Sequence, residues 1–454
     1  MTVSAQQHSL SAGRRSGFRA ALVVATVFLA SIPFGSNRPF FWALWCAWLA
    51  LLWLGYLMRQ RSSGEGLRIP LHAVRWLAAG YLVVLLVLCV QIVPLGTVVA
   101  DFTGTTGLTL PSATLSLVPG DTFFAALRWA SYGLLFFLCL QIFAQHRPAR
   151  GVSYALVIIT ALESIYALLA LTVFNDTILF FEKPQYLGAA TGTFVNRNSL
   201  ATFLGIGLVV SIALQLPATS RSGVGNSVQQ RLLLAAASVV LISGLLASQS
   251  RLGLFATVAG LMTMLLAARR RLVLRWPIVI GAFLAAAVVA VLYGGDFSWR
   301  LLSLNQAATE REALYRQVWA MIGDHPLAGF GAGTFLHAFP LYHMPPVAVD
   351  RVWDFAHSTY LSLWSGMGFV AGTIPILMVA DIFRRLWSAV RQGYATRETY
   401  AAIGATALVA VHSLFDFSLE MLGVAFLFVV VLALGSLPTF LPKSGRALSP
   451  GSSR

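Results

Sequence analysis

Charge is scarce in this 454-residue chain, with Asp, Glu, Lys and Arg together making 10% of it. A soluble globular protein carries about 25%. The shortfall excludes an ordinary water-facing surface over most of the chain. Acids are the scarcer sign, 16 against 31 basic residues, for a net charge of +15. Cysteine is almost absent. Cys46, Cys89 and Cys139 all lie inside apolar runs, which excludes a disulfide framework and any zinc-ligand spacing. The sequence holds no RNA- or DNA-binding module and no separate soluble domain. Its basic residues fall in short clusters between apolar runs, where membrane topology rather than nucleic acid accounts for them.

Apolar length is what the chain does have. It is 58% hydrophobic, with a mean hydropathy of +0.78. A spanning helix needs about 20 apolar residues. Candidate spans fall at 18–35, 39–58, 73–95, 122–144, 151–173, 198–216, 231–248, 252–268, 272–293, 357–381, 399–416 and 420–440. The expected fold is therefore all-α, a polytopic integral membrane protein with about 12 transmembrane helices. Three parts follow: N-terminal spans over 1–293, a large, partly helical outer loop over 294–356, and C-terminal spans with a tail over 357–454. Arg14 and Arg15 ahead of the apolar stretch Phe18–Phe34 resemble a secretory signal. A further apolar run starts near Phe40, so the first stretch reads as an uncleaved span.

Basic residues orient the spans. With the N-terminus inside and the spans alternating, most Lys and Arg fall in cytoplasmic segments, including Arg14, Arg59, Arg147, Arg231, Arg269, Arg384 and Lys443. This is the positive-inside pattern, and it puts both termini in the cytoplasm. Arg38, Arg128, Lys183, Arg197, Arg251, Arg300, Arg311, Arg316 and Arg351 fall on the outer side against the rule. A side chain snorkelling to the interface accounts for such a residue without function. A functional reason is still worth seeking at each.

The loop 294–356 reads as an amphipathic helix followed by turns. Thr309 and Glu312 have capping-box spacing, which predicts a helix starting at Thr309. Leu314, Val318, Met321 and Ile322 form its apolar stripe, and Gly323 and Pro326 stop it. The run Gly329-Phe330-Gly331-Ala332-Gly333 reads as a tight turn, lacking the strand–turn–helix setting of a dinucleotide fingerprint. A second outer loop, 174–197, ends in Asn196-Arg197-Asn198.

Several polar residues could carry chemistry. Arg197, at the outer mouth of a span between two asparagines, can hold a phosphate by bidentate hydrogen bonds, with Asn196 and Asn198 as neutral donors. Arg251 lies in the short polar break Ser248-Gln249-Ser250-Arg251; the plain alternative is a turn between spans. His357 opens a span, and imidazole suits proton transfer near neutral pH. On a helix, Asp354 would share its face and orient the ring; the plain alternative is a histidine at headgroup level. A metal site of Asp350, Asp354 and His357 matches no ligand motif. Arg311, Arg316 and Arg351 could draw an anionic group or pair with Glu310, Glu312 and Asp324, pairing being favoured for Arg316. Asp416 and Glu420, on the last outer hairpin, could line the same cavity. Glu163 lies within a span and calls for a polar partner.

Together these segments resemble a known family. Gly192-Thr193-Phe194-Val195-Asn196-Arg197-Asn198 with Ala201 resembles the G-T-F-x-N-x-N segment of the O-antigen ligase and polymerase superfamily. Ser248-x-Ser250-Arg251 resembles its S-x-S-R turn. Arg311, Tyr315, Trp319 and the run from His325-Pro326 to Thr334-Phe335 resemble its outer loop. Ala356-His357-Ser358-x-Tyr360-Leu361 resembles its A-H-N-x-Y-L segment, with serine in place of the asparagine. The resemblance covers 190–370, and its four motifs occur in order.

The resemblance implies a membrane glycosyltransferase of the bacterial inner membrane, with its active site facing the periplasm. Such enzymes move a glycan from undecaprenyl diphosphate to an acceptor hydroxyl, with no nucleotide sugar, and the ligases work without a metal. No cofactor is implied. The acceptor is lipid A–core for a ligase and a second lipid-linked glycan for a polymerase; the motifs do not separate the two. By this reading Arg197 and Arg251 hold the diphosphate, with Arg311 a weaker candidate. His357 is the base or orients the acceptor, and Asp354 orients His357. A lipid-linked glycan flippase or transporter also fits twelve spans. The repeated halves and broken midplane helices common in transporters are not visible in the sequence.

Overall fold

The computed structural model describes residues 2–94, 114–144, 146–217, 225–269 and 297–441. Apart from a lone bridge between Ile178 and Phe181, the regular elements among the described residues are helical. They are α1 (Thr2–Ser31), α2 (Pro39–Ser63), α3 (Arg75–Ile92), α4 (Pro119–Phe143), α5 (His146–Thr172), α6 (Arg197–Gln215), α7 (Val228–Ala247) and α8 (Arg251–Ala268). Then follow α9 (Phe297–Asp324), α10 (Phe335–Ala338), α11 (Thr359–Met367), α12 (Phe369–Arg391), α13 (Arg397–His412) and α14 (Leu422–Phe440). Helix starts are written in the sequence. Pro39 and Pro119 lie in first turns, where a missing N–H costs nothing. Ser227 and Thr396 form capping boxes at α7 and α13.

Eight helices among the described residues are long and apolar enough to cross a membrane. This is a multi-pass membrane protein. The remaining expected spans differ in informative ways. The one at 272–293 lies outside the described residues. The apolar part of α1 is confined to Gly17–Ser31, and α13 has only 16 residues. The expected span 357–381 is two helices, α11 and α12, broken at Gly368. Its φ of +78° favours glycine, and a Cβ there would lie 2.1 Å from the Leu327 carbonyl oxygen. Phe369 N–H donates to the Pro326 carbonyl at 2.7 Å, so the turn after α9 wedges into the break.

The outer-loop helix also differs at its start. α9 begins at Phe297, so Thr309 is interior and not an N-cap. Good helix formers upstream, among them Leu301, Leu302, Gln306 and Ala307, carry the helix back past it. Its stripe is as read: Leu314, Val318, Met321 and Ile322 are all buried. The glycine-rich turn then zips along the end of α11, with Phe330 N–H on Ser365 O (2.8 Å) and Gly331 N–H on Gly366 O (3.0 Å).

Gln91, near the end of α3, clamps that turn. It is 1% exposed. Its Nε2 donates to the carbonyls of Ala328 (2.7 Å) and Gly366 (2.8 Å), and its Oε1 accepts from Ala332 N–H (3.3 Å). Gln91→Leu strands the Ala328 carbonyl and the Ala332 N–H out of water, at about 1–3 kcal/mol for each one left unpaired, while the Gly366 carbonyl keeps its bond from Gly331 N–H. The expected result is a clear drop in Tm in detergent; an unchanged Tm would contradict the clamp.

α6 and α14 are the most enclosed spans. α13 packs on α6, α8 and α14. Small residues allow the closest approach, as is usual between membrane helices: a Cβ at Gly260 would lie 2.6 Å from Gly404 O. At one end of the α6–α13 pair, Arg397 donates to Leu216 O (2.8 Å) and Asn226 Oδ1 (2.9 Å), and Arg150 also donates to Asn226 Oδ1 (2.6 Å). At the other end, Thr202 Oγ1 meets His412 Nδ1 at 3.2 Å. The candidate residues gather at this second end.

Candidate functional site

Two helix N-termini frame the site. Asn196 caps α6, its Oδ1 accepting from Asn198 N–H at 2.7 Å. Arg197 thus becomes the first helical residue, half-buried, its guanidinium 5.3 Å over the Tyr186 ring. Ser250 caps α8 by accepting from Gly253 N–H at 3.1 Å, which leaves Arg251 exposed at the first position. Asn198 joins the two turns: its Oδ1 accepts from Ser250 Oγ at 2.8 Å, and its Nδ2 donates to Asp416 Oδ1 at 3.0 Å. Both amide ends of Asn198 are therefore engaged in structure. Among the described residues, the Asn196 amide nitrogen has no such partner.

Asp416 is the centre of this network. It is 0% exposed, between α13 and α14. It also takes the Ser418 hydroxyl and lies 3.5 Å from His412 Nδ1. Its backbone carbonyl accepts from Thr359 N–H and Oγ1, each at 3.1 Å, which brings the start of α11 against the same turn.

His357 precedes α11, which Ser358 caps. Its φ is +50°, rare for a residue with a side chain. Such a conformation costs on the order of 1–3 kcal/mol and persists where the surroundings impose it. Here the ring is packed edge-on between Trp353 (5.4 Å) and Phe417 (5.1 Å), and the carbonyl accepts from the Tyr315 hydroxyl at 2.8 Å. Burial pushes the imidazole below its usual pKa. Asp416 opposes this most, Arg311 adds to it, and Glu310 and Asp354 oppose it less.

Asp354 is placed differently from the sequence expectation. Residues 354–358 are not helical, so the shared-face argument does not hold. Asp354 is exposed and makes no hydrogen bond to His357. The carboxylate acting most on the ring is that of Asp416. Among the described residues no three His, Cys, Asp or Glu gather as a metal site would require, Asp350, Asp354 and His357 included.

Arg311, exposed on α9, acts electrostatically on Arg197, His357, Tyr186 and Tyr315. Arg251 acts on Arg197 as well. Burial pushes the Tyr315 phenol up to about 12 against the pull of Arg311. None of Arg197, Arg251 and Arg311 forms a salt bridge with a described carboxylate. Of the other cations expected on the outer side, Arg128 pairs with Glu420 (3.3 Å), Lys183 with Asp176 (2.5 Å) and Arg316 with Glu312 (2.9 Å), whereas exposed Arg38 and Arg351 form no salt bridge with a described residue. The guanidiniums of Arg251 and Arg311 both repel that of Arg197, and two helix N-termini add positive potential. An anion placed among them relieves both.

Glu163 has the polar partner the sequence called for. Its Oε1 accepts from Thr193 N–H (2.7 Å) and Thr193 Oγ1 (3.0 Å), holding the loop that leads to Arg197. Gly192 has φ +58°, and a Cβ there would lie 2.2 Å from Glu163 Oε1. Gly192→Ala should therefore destabilise the protein by more than about 1 kcal/mol. Thermal unfolding in detergent checks this, and a Tm equal to wild type would contradict it.

Asp416 had entered only as a cavity-lining candidate, and His412 and Gln91 not at all. The i,i+4 pair His412 and Asp416 was the available signal.

These features define a multi-pass membrane protein with an anion-ready site beside a half-buried histidine. Residues 236–376 match the model of the O-antigen ligase family. That match bears out the resemblance to the O-antigen ligase and polymerase superfamily over this segment. The matched segment includes Arg251, Arg311, Asp354 and His357; Arg197 and Asp416 lie outside it. The chain matches no curated protein.

Proposed function

We propose that the protein transfers a glycan from undecaprenyl diphosphate to an acceptor hydroxyl on the periplasmic side of the bacterial inner membrane, with both termini in the cytoplasm. The observation that carries this reading is that Arg251 and Arg311 both act on Arg197, and Arg311 on His357, with none of the three arginines in a salt bridge with a described carboxylate. The anomeric C–O bond breaks and its electron pair leaves on the diphosphate. Guanidiniums aimed at that growing charge lower the barrier. The acceptor hydroxyl forms the new C–O bond as its proton passes to His357. A single displacement inverts the anomeric centre. The lipid tail of the donor enters sideways between helices, and the outer loop covers the glycan. Asp416 orients the parts, and Asp354 is the more distant partner of His357.

The acid limb of the pH profile follows from His357. A base works in its neutral form. Its pKa is pushed below the ordinary value of about 6.5, so the neutral form survives to lower pH. Transfer should hold through neutrality and fail only below about pH 6.5. A limb above that value in kcat/KM would contradict the assignment.

The acceptor is read directly from products. Purified protein in liposomes receives a lipid-linked repeat unit, with or without lipid A–core. A ladder of longer lipid-linked glycans identifies a polymerase, and product only with lipid A–core a ligase. No product from folded protein with either acceptor favours the flippase reading.

A further inference from the structure

A cavity of about 540 Å³ lies among α4, α11, α12, α13 and α14, within the size range of ligand cavities, about 300–1,000 Å³. Its walls are mostly apolar, with Phe136, Met378, Phe383 and Phe428 among them. Ala380 on α12 and Ala410 on α13 line it and are both exposed, so it opens sideways between those helices. The charged residues in its wall are Asp354, at the end near His357, and the pair Arg128 and Glu420. That pair is self-neutralised at 3.3 Å, and the guanidinium is stacked 4.7 Å over Trp42.

The chemistry selects the occupant. The charged residues of the wall are Arg128, Glu420 and Asp354, with no excess of positive charge to hold a phosphate, whereas an apolar cavity open to the bilayer admits hydrocarbon without exposing it to water. Position selects which lipid. Phe355 and Thr359, on either side of His357, line the cavity, but Arg197, Arg251 and Arg311 do not. The charged end of the donor and this cavity therefore approach His357 by different routes.

Resting on the transfer reading above, we infer that this cavity holds the hydrocarbon chain of the lipid-borne acceptor. The chain enters between α12 and α13 and brings the acceptor hydroxyl toward His357. An isoprenoid and a fatty acyl chain share the chemistry required.

Photolabelling in liposomes tests this without needing turnover. The probes are a diazirine-tagged polyprenol and a diazirine-tagged palmitoyl phospholipid. The expected result is labelled peptides from the facing sides of α12 and α13, and the probe that labels names the chain type. Ala410→Trp and, separately, Ala380→Trp plug the exposed rim with little demand on folding. Each should cut labelling about tenfold, the equivalent of about 1.4 kcal/mol. Arg251→Ala should label like wild type. Labelling confined to outer helix faces, or unchanged in both tryptophan variants, overturns the inference. Normal cavity labelling in a protein that transfers nothing sinks the transfer reading instead, and an active protein with an unlabelled cavity sinks this one alone.

Discussion

Arg251→Ala is expected to lower glycan transfer by about 100- to 1,000-fold, the loss found when one preorganised donor to a developing oxyanion is removed. Arg251 is exposed at the first position of α8, and its side chain neither packs in the core nor joins a salt bridge with a described residue. Folding should therefore survive its removal. The cap at Ser250 and the bridge from Ser250 to Asn198 use neighbouring atoms and remain. Lysine at this position restores charge but not the planar fork, so Arg251→Lys should recover only part of the rate. Initial rates in liposomes, compared with Tm and elution profile, check both halves. A variant that folds and transfers at the wild-type rate would remove Arg251 from the diphosphate site. Arg197→Ala is a less clean experiment, because Arg197 also packs on Tyr186.

His357→Ala is expected to lower transfer by about 100- to 10,000-fold, the range for loss of a positioned general base. The loss should fall on kcat while donor affinity stays near wild type, because the arginines are untouched. His357→Gln keeps much of the shape between Trp353 and Phe417 but accepts no proton. It should be as inactive as alanine. Recovery of activity in the glutamine variant would make His357 an orienting group rather than a base.

Much of the molecule could be read before its structure. Scarce charge and long apolar runs give the membrane class, and the apolar stripe from Leu314 to Ile322 gives the packed face of α9. Local spacing also found Arg197, Arg251 and the need of Glu163 for a partner. What escaped was non-local. The bridge from Ser250 through Asn198 to Asp416 joins residues far apart in sequence, and no periodicity encodes it. Asp354 was assigned on helical spacing, but Ser358 starts the helix after His357, so the spacing had no helix to act on. The break at Gly368 was visible only as two nearby glycines. The backbone of Leu327 pressed against it makes it obligatory.

The most direct test is single-turnover transfer from an undecaprenyl diphosphate-linked glycan by the reconstituted protein, with donor binding measured on the same samples. Wild type should form product, while His357→Ala and Arg251→Ala bind lipid in folded form and form product at no more than about one hundredth of its rate. Product formation at the wild-type rate by both variants would contradict the account.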